Sequence, residues 1–297
     1  MIPASLLAAH EASARYVEVD GLRTAVFEQG EGEAVLCLHG VPVSAWLDRR
    51  VLPALAARGL RGIAYDLPGL GLSGRPADGD YTWSGLGTHA LRLVDALGLE
   101  RVHLVVHDIG GPVGFELAHA IPDRVASLTV LNTLIRVAEF RKPWVMRPFE
   151  VPWLGELWLR GMIDPLFVQL MYRQGIAREN PERVAVPPEE LLVHLRLLRR
   201  EDGGRAFLKM MRCFETTAQK QARYLAVFDH DRPVQVVWGA RDPALPPEAM
   251  GAIARELVGE DRYVEVGGKH FLQETHAAEI AEHVQALVAR AGRAAGA

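Results

Sequence analysis

The sequence has only two cysteines, Cys37 and Cys213, in 297 residues. Two cysteines cannot form the disulfide framework of a small secreted domain, so we expect free thiols and a reducing, cytoplasmic environment. No apolar run is long enough to span a bilayer. The first residues lack the basic segment and the apolar length of a signal peptide. We therefore expect neither a membrane-spanning nor a secreted protein.

The sequence also lacks a large excess of charge of either sign: it has 33 lysine and arginine residues and 37 aspartate and glutamate residues, for a formal net charge of −4. This balance provides no basic surface for nucleic acid or an anionic membrane, and we expect neither as a partner. Apolar residues, in contrast, make up 49% of the chain. That share is enough for a sizeable core in one large domain, or in a core domain with an insertion.

Strand-like and helix-like segments alternate from the start of the chain to about residue 132. The strand-like segments are residues 15–19, 22–28, 34–38, 60–65, 101–105 and 126–131. The helix-like segments between them include 44–57, 83–97 and 112–119. Because parallel strands need crossover helices, this alternation predicts an α/β fold with a mostly parallel central sheet flanked by helices.

The alternation stops after residue 132 and resumes at residue 234. In between, helix-like stretches at 153–172 and 189–199 are separated by proline and glycine, and no clear strand pattern occurs. This pattern indicates a block of helices inserted into the core. We therefore predict a core of residues 1–133 and 218–297, with a helical cap of residues 134–217 inserted into it.

One turn within the predicted core carries unusual chemistry. The stretch Val106-His107-Asp108-Ile109-Gly110-Gly111 joins a strand-like run to a helix-like run, and its glycines allow a tight bend at Asp108. A serine at such a bend attacks acyl carbon. A carboxylate there can attack saturated carbon and leave an ester that water can cleave. The alternative is an aspartate that only caps the helix.

Four strand ends carry polar residues, and ligands in open α/β sheets bind beyond such ends. The four segments are His39-Gly40-Val41-Pro42, Asp108, Gly239-Ala240-Arg241-Asp242-Pro243 and Gly267-Gly268-Lys269-His270. Asp108, Asp242 and His270 follow the chain order nucleophile, acid, histidine of one class of catalytic triad. Each residue alone could serve a turn or a core, but their joint occurrence in this order indicates a hydrolytic site.

Five segments together carry a resemblance to a known family. They are His39-Gly40-Val41-Pro42, Asp66-Leu67-Pro68-Gly69-Leu70-Gly71-Leu72-Ser73-Gly74-Arg75-Pro76, His107-Asp108-Ile109-Gly110-Gly111, Trp238-Gly239-Ala240-Arg241-Asp242-Pro243 and His270-Phe271-Leu272-Gln273-Glu274. With them the chain resembles the α/β-hydrolase superfamily, in the branch of haloalkane dehalogenases and epoxide hydrolases. The resemblance covers the core and is weak in the cap. It implies the α/β-hydrolase fold, a small-molecule substrate and no cofactor.

The resemblance also implies a role for each matching residue. Asp108 would be the nucleophile, which is ionised at neutral pH without the help of a base. His270 would activate the water that cleaves the ester, and Asp242 would orient and support His270. Some members carry this acid after the preceding core strand. Here that strand ends at Asn132-Thr133, which offers no carboxylate, so Asp242 is the better candidate.

The backbone N–H groups of Val41 and Ile109 would form the oxyanion hole. The side chains at the same two positions weigh against a dehalogenase. Haloalkane dehalogenases that resemble this chain carry a tryptophan directly after the nucleophile, and many carry an asparagine after the His-Gly pair. Neither isoleucine nor valine can donate a hydrogen bond to a departing halide. A cap tryptophan, Trp153 or Trp158, could supply one N–H.

An epoxide hydrolase needs instead an acidic donor in the cap, which protonates the oxygen of the opening ring. Two tyrosines are usual in that family. The candidates here are Tyr172 and Tyr224, with His194 as a substitute for one of them. The chain departs from the dehalogenase pattern at two securely matched positions, Ile109 and Val41. It departs from the epoxide hydrolase pattern only in the cap, where the resemblance is weak and a departure therefore counts for less. The sequence therefore favours an epoxide hydrolase, with a haloalkane dehalogenase as the alternative.

Other classes fit less well. A non-catalytic small-molecule receptor could keep this fold, because fold does not dictate function, but the candidate triad argues against it. A serine esterase lacks its serine at the bend, and a fluoroacetate-type dehalogenase would need an arginine where Ile109 stands. His39, His103 and His107 offer no ligand set for a metal. The oligomeric state is left open.

Overall fold

The computed structural model describes residues 4–176 and 186–295, and eight strands within them form one sheet. The strands are β1 (Arg15–Val19), β2 (Leu22–Gln29), β3 (Glu33–Leu38), β4 (Leu60–Tyr65), β5 (Val102–Asp108), β6 (Val125–Thr133), β7 (Val234–Gly239) and β8 (Tyr263–Val266). Their order across the sheet is β1-β2-β4-β3-β5-β6-β7-β8. The pairs β1–β2 and β2–β4 are antiparallel and the other pairs are parallel. The predicted fold class is confirmed.

The strand β5 lies in the interior of the sheet, between β3 and β6. All seven of its residues are buried, as expected of a parallel strand that is covered on both faces. Because β3, β5, β6, β7 and β8 run in the same direction, their carboxyl ends lie side by side. The residues that follow these five strands therefore converge at one edge of the sheet.

Helices cover both faces of the sheet. They are α1 (Ala4–Ser13), α2 (Val51–Ala56), α3 (Trp83–Ala96), α4 (Gly110–Ala120), α5 (Leu154–Gly161), α6 (Asp164–Leu170), α7 (Pro188–Arg199), α8 (Arg205–Arg212), α9 (Ala218–Phe228), α10 (Ala252–Val258) and α11 (Ala277–Ala295). Alternate residues of β3 show the two layers: Cys37 packs in a cluster with residues of α2 and α11, and Leu36 in a cluster with residues of α3 and α4. No helix among the described residues has both the length and the apolar character needed to cross a bilayer.

The chain between β6 and β7 is helical wherever it has regular structure, for the part that the structure describes. The helix expected over 153–172 is broken, because α5 ends at Gly161 and α6 begins at Asp164, which Pro165 follows. Proline fits the first turn of a helix but not its interior. After α6 comes a short π-helical turn, Met171–Gly175. The division into core and cap at residues 134 and 218 stays a prediction.

Candidate active site

A strained turn places Asp108 at the end of β5. Its φ of 51° lies in the left-handed region, which residues other than glycine rarely enter. A Cβ on Gly110 would stand 2.1 Å from the Leu38 carbonyl oxygen, and one on Gly111 would stand 1.8 Å from Thr133 Oγ1. Both positions therefore need glycine, since α4 starts directly against the neighbouring strands. The turn is the sharp bend that the sequence predicts.

The two side-chain oxygens of Asp108 face different partners. Oδ1 accepts a hydrogen bond from the Val41 N–H at 2.7 Å, whereas Oδ2 lies 3.4 Å from His270 Nε2. Gly40 permits this approach, because a Cβ there would come within 2.1 Å of Oδ1. The Ile109 N–H makes no hydrogen bond to Asp108 among the described residues. The oxyanion hole therefore stays a prediction, and the Val41 N–H already points at the carboxylate.

His270 stands between two carboxylates. Its Nδ1 is 2.8 Å from Asp242 Oδ2, and its Nε2 faces Asp108. The other oxygen of Asp242 accepts the N–H groups of Ala244 and Leu245 at 2.7 and 3.0 Å. These bonds fix the carboxylate just beyond β7. The three predicted triad residues thus meet at the carboxyl edge of the sheet, and all three are buried.

The charges of these three groups are coupled. Burial alone would lower the pKa of His270, but the Asp242 and Asp108 carboxylates outweigh it and raise the pKa to about 10. Burial alone would raise the pKa of Asp108, but the hydrogen bond and charge of His270 hold it below its usual value. At neutral pH the site therefore rests as an imidazolium between two carboxylates. Asp108 is ionised, as an attacking carboxylate must be.

Asn132 is a site residue that the sequence does not reveal. Its Nδ2 donates to Asp242 Oδ2 at 2.5 Å, and its Oδ1 accepts the Gly239 N–H at 2.8 Å. In the sequence this position stands out only because it lacks a carboxylate. The structure shows that its amide instead holds the carboxylate of the next strand end against His270.

Two histidines beside the site shape its loops. His39 Nε2 accepts the Leu67 N–H at 3.1 Å, so its Nδ1 carries the proton and donates to the Gly40 carbonyl at 2.8 Å. His107 Nε2 donates to the His270 carbonyl at 2.8 Å. Burial lowers the pKa of both imidazoles to about 4, so both are neutral at pH 7. The part of the chain that the structure describes contains no cluster of side chains that could hold a metal ion.

An apolar cavity opens onto Asp108 and His270. It contains about 950 Å³ of empty space, including the part open to solvent. Its walls are mostly phenylalanine, leucine and methionine side chains, among them Phe140, Phe149, Phe167, Met171, Phe207 and Leu245. Gln174 is the only other polar residue in this lining, as far as residues 4–176 and 186–295 go.

The five residues predicted to line the pocket, Trp153, Trp158, Tyr172, His194 and Tyr224, are not part of its described lining. That prediction was wrong. The two tryptophans face solvent, with 71% of Trp153 and 38% of Trp158 exposed. The neighbouring Leu159 of α5 lines the cavity instead, because an amphipathic helix turns only one of its faces inward.

The other three residues are held elsewhere by hydrogen bonds. The Tyr172 hydroxyl donates to a backbone carbonyl, that of Val186. His194 Nε2 lies 3.0 Å from a carboxylate oxygen of Glu274. The Tyr224 hydroxyl donates at 3.1 Å to a carboxylate on α4, on the face of the sheet that α3 and α4 cover. No tyrosine therefore stands in the described cavity lining to protonate an epoxide oxygen.

Known proteins are similar to this chain in sequence and in fold. A family model described as alpha/beta hydrolase fold matches residues 33–175. A haloalkane dehalogenase of Mycolicibacterium smegmatis is 30% identical over 292 residues, which cover 92% of this chain and 90% of that protein.

Two solved structures show the same fold at lower identity. A haloalkane dehalogenase from Bradyrhizobium elkani is 22% identical with a TM-score of 0.73, and the match covers 94% of this chain and 99% of that one. An epoxide hydrolase from Vigna radiata is 22% identical with a TM-score of 0.72, over 93% and 98% of the two chains. At this level of sequence identity, the similarity is evidence for the fold only.

Proposed function

This chain belongs to the α/β-hydrolase superfamily, in the branch of haloalkane dehalogenases and epoxide hydrolases, and we propose that it hydrolyses a small, mostly apolar alkyl halide through an ester on Asp108. One observation carries the proposal. The Asp108 carboxylate borders an apolar cavity, with Oδ1 bonded to the Val41 N–H and Oδ2 3.4 Å from the His270 imidazole. A carboxylate so placed can attack a substrate carbon, and the imidazole beside it can serve as the base once its proton has left.

In the first step, Asp108 Oδ2 attacks the carbon that bears the halogen. A carbon–oxygen bond forms, and the carbon–halogen bond breaks with its electron pair. The products are an uncharged ester and a halide ion. The apolar walls hold the substrate against the carboxylate, which makes the attack effectively unimolecular.

In the second step, His270 acts as the base. Esterification removes the Asp108 charge that helps to hold the imidazole proton, so the pKa of His270 falls and that proton leaves with the halide. The neutral imidazole then takes a proton from water, and the hydroxide attacks the ester carbonyl carbon. The Val41 and Ile109 N–H groups stabilise the oxyanion.

Collapse of the tetrahedral intermediate then completes the cycle. The departing alkoxide takes the second proton of the attacking water, while the first stays on His270. This restores the imidazolium–carboxylate pair and releases an alcohol. The cycle consumes substrate and water and uses no cofactor.

The cavity favours a halide over an epoxide oxygen as the leaving group. An opened epoxide needs a proton, and the tyrosines expected to supply it, Tyr172 and Tyr224, bond elsewhere. The stretch 177–185, between the two described ranges, contains no tyrosine and no histidine. A halide ion needs hydrogen-bond donors but no proton. The sequence favours an epoxide as the substrate, whereas the cavity lining favours an alkyl halide.

The proposal predicts that His270→Gln accumulates the ester. Removing a general base slows the step that it serves by about 10² to 10⁴, while attack by Asp108 needs no base. The variant is incubated with a panel of bromo- and chloroalkanes and, in parallel, of epoxides. Intact-mass measurement should show protein that is heavier by the alkyl group, and the wild type should release halide. Asp108→Ala should neither gain the mass of the alkyl group nor release halide.

Two results would contradict this assignment. Diol from the epoxides without halide from the haloalkanes would make the protein an epoxide hydrolase. Ligand binding without turnover or adduct in either panel would make it a non-catalytic receptor.

We also propose a cytoplasmic location. Its support is chemical: Cys37 and Cys213 are both free thiols in the structure, which a reducing compartment preserves.

A further inference from the structure

A departing halide needs hydrogen-bond donors, because an unsolvated anion in an apolar cavity is strongly disfavoured. The positions after Asp108 and Gly40 hold Ile109 and Val41, whose side chains cannot donate. The cap tryptophans lie outside the described cavity lining. Apart from His270, the only side chain with N–H groups among the described lining residues is that of Gln174.

Gln174 belongs to the π-helical turn Met171–Gly175, a type of turn that is frequent at functional sites. The two residues that flank His270 hold this turn in place. Lys269 Nζ donates to the Tyr172 and Arg173 carbonyls at 3.0 and 2.9 Å, and the Phe271 N–H donates to the Gly175 carbonyl at 2.7 Å. The turn that carries Gln174 is therefore fixed to the loop that carries His270.

The packing at the next residue is equally close. A Cβ on Gly175 would stand 2.2 Å from the Phe271 ring, so the backbone there meets the ring directly. Phe271 also lines the cavity. Gln174 thus lines the cavity directly before the residue whose backbone meets Phe271, and Phe271 directly follows His270.

The amide of Gln174 is available for a ligand. The side chain is partly buried, and it has no hydrogen-bond partner among the described residues. A carboxamide has two N–H donors and no acidic proton. It can therefore bind a halide ion, but it cannot protonate an alkoxide.

We propose that the Gln174 side chain donates a hydrogen bond to the halide as it leaves the substrate carbon, which makes Gln174 a catalytic residue of the first step. The inference rests on the proposed function. It explains how a dehalogenase of this branch could work without a tryptophan after the nucleophile and without an asparagine after the His-Gly pair.

The test measures ester formation alone, in a His270→Gln background, with 1-bromobutane and 1-chlorobutane as probes. Gln174→Leu keeps a similar size and removes both donors. We expect it to slow ester formation about 10- to 100-fold, the range that loss of a hydrogen bond to a charged group gives. The loss should be larger for the chloride, which is the poorer leaving group. Inhibition by added bromide should weaken in parallel.

Two further variants complete the design. Gln174→Glu has the same shape but is ionised at neutral pH, so it should also slow ester formation, by repelling the halide. If Gln174→Leu does not fold, the Gln174→Glu variant still tests the proposal. The matched control is Gln285→Leu on α11, whose amide donates to the Arg58 carbonyl far from the cavity. This control should form the ester at the parental rate.

The outcomes separate the two proposals. Parental rates in Gln174→Leu and Gln174→Glu, with an unchanged chloride-to-bromide ratio, would overturn the role of Gln174 and leave the proposed function standing. If the His270→Gln parent forms no ester with any haloalkane, the proposed function fails, and the inference fails with it.

Discussion

At the scale of single residues, His270 links the chemistry of the site to the stability of the fold. It is buried between Asp108 and Asp242, which raise its pKa from 6.5 to about 10 against the opposing effect of burial. The unfolded chain has no such arrangement of carboxylates. The protonation of this one side chain therefore contributes to the free energy of unfolding.

We predict that this contribution is complete below pH ~6.5, where the imidazole is protonated in both states. As the pH rises, the unfolded chain loses the proton first. The contribution then declines steadily and is gone above pH ~10. Denaturant unfolding of the wild type and of His270→Gln across this range checks the prediction. The stability difference between them should shrink as pH rises, and a difference that grows with pH would contradict the account.

Only part of the site could be predicted residue by residue. Asp108, Asp242 and His270 each follow a strand, and parallel strands bring their carboxyl ends together whatever the detailed packing. Asn132 and Gln174 could not be predicted, because their roles depend on which atoms face them across a gap between distant segments. Trp158 was placed wrongly, because the spacing of apolar residues does not fix which side of the short helix α5 faces the cavity.

At the scale of elements, the unit formed by β5, the turn and α4 depends on glycine as much as on Asp108. Gly114 makes a tight contact in addition to those of Gly110 and Gly111 in the turn: a Cβ on Gly114 would stand 2.4 Å from Val106 Cγ1. Three glycines in the first half of α4 therefore let the helix lie against the sheet. The position of Asp108 follows from this close contact.

We predict that Gly111→Ala destabilises the protein by about 1–3 kcal/mol, the usual cost of overpacking a tight contact. It should also reduce activity, because the Thr133 hydroxyl that it meets donates to the Asp108 carbonyl at 2.5 Å. Gly292→Ala on α11 is the matched control. It has open space around it and should gain about 0.5–1 kcal/mol from helix propensity. Thermal unfolding compares the two, and equal melting temperatures would contradict this account of the turn.

The elements themselves were mostly predictable where the pattern is local. β5 follows from an unbroken apolar run, and the β1–β2 hairpin follows from Asp20-Gly21, both of which have positive φ. The break between α5 and α6 was missed, because apolar residues continue through Met162 and Ile163 and hide the end of the helix. Pro165 was the signal that marked it.

At the scale of the whole molecule, ion pairs tie the helices after β6 to the sheet. Arg75, in the loop after β4, pairs with Asp202 at 3.2 Å. Arg49 pairs with Glu274, four residues after His270, at 2.6 Å, and with Glu190 of α7 at 2.5 Å. These pairs join α7, which contributes Leu198 to the cavity wall, and the turn after it to the segments that follow β3, β4 and β8.

The proposed mechanism requires that the Asp108 carboxylate itself attacks the substrate and that water then cleaves the ester. A single turnover in heavy-oxygen water, with enzyme in excess over a haloalkane, distinguishes this route from direct attack by water. We expect the label in the Asp108 side chain, detected by peptide mass, and no label in the alcohol from this first turnover. Label in the alcohol, with none in the Asp108 peptide of an active enzyme, would contradict the mechanism.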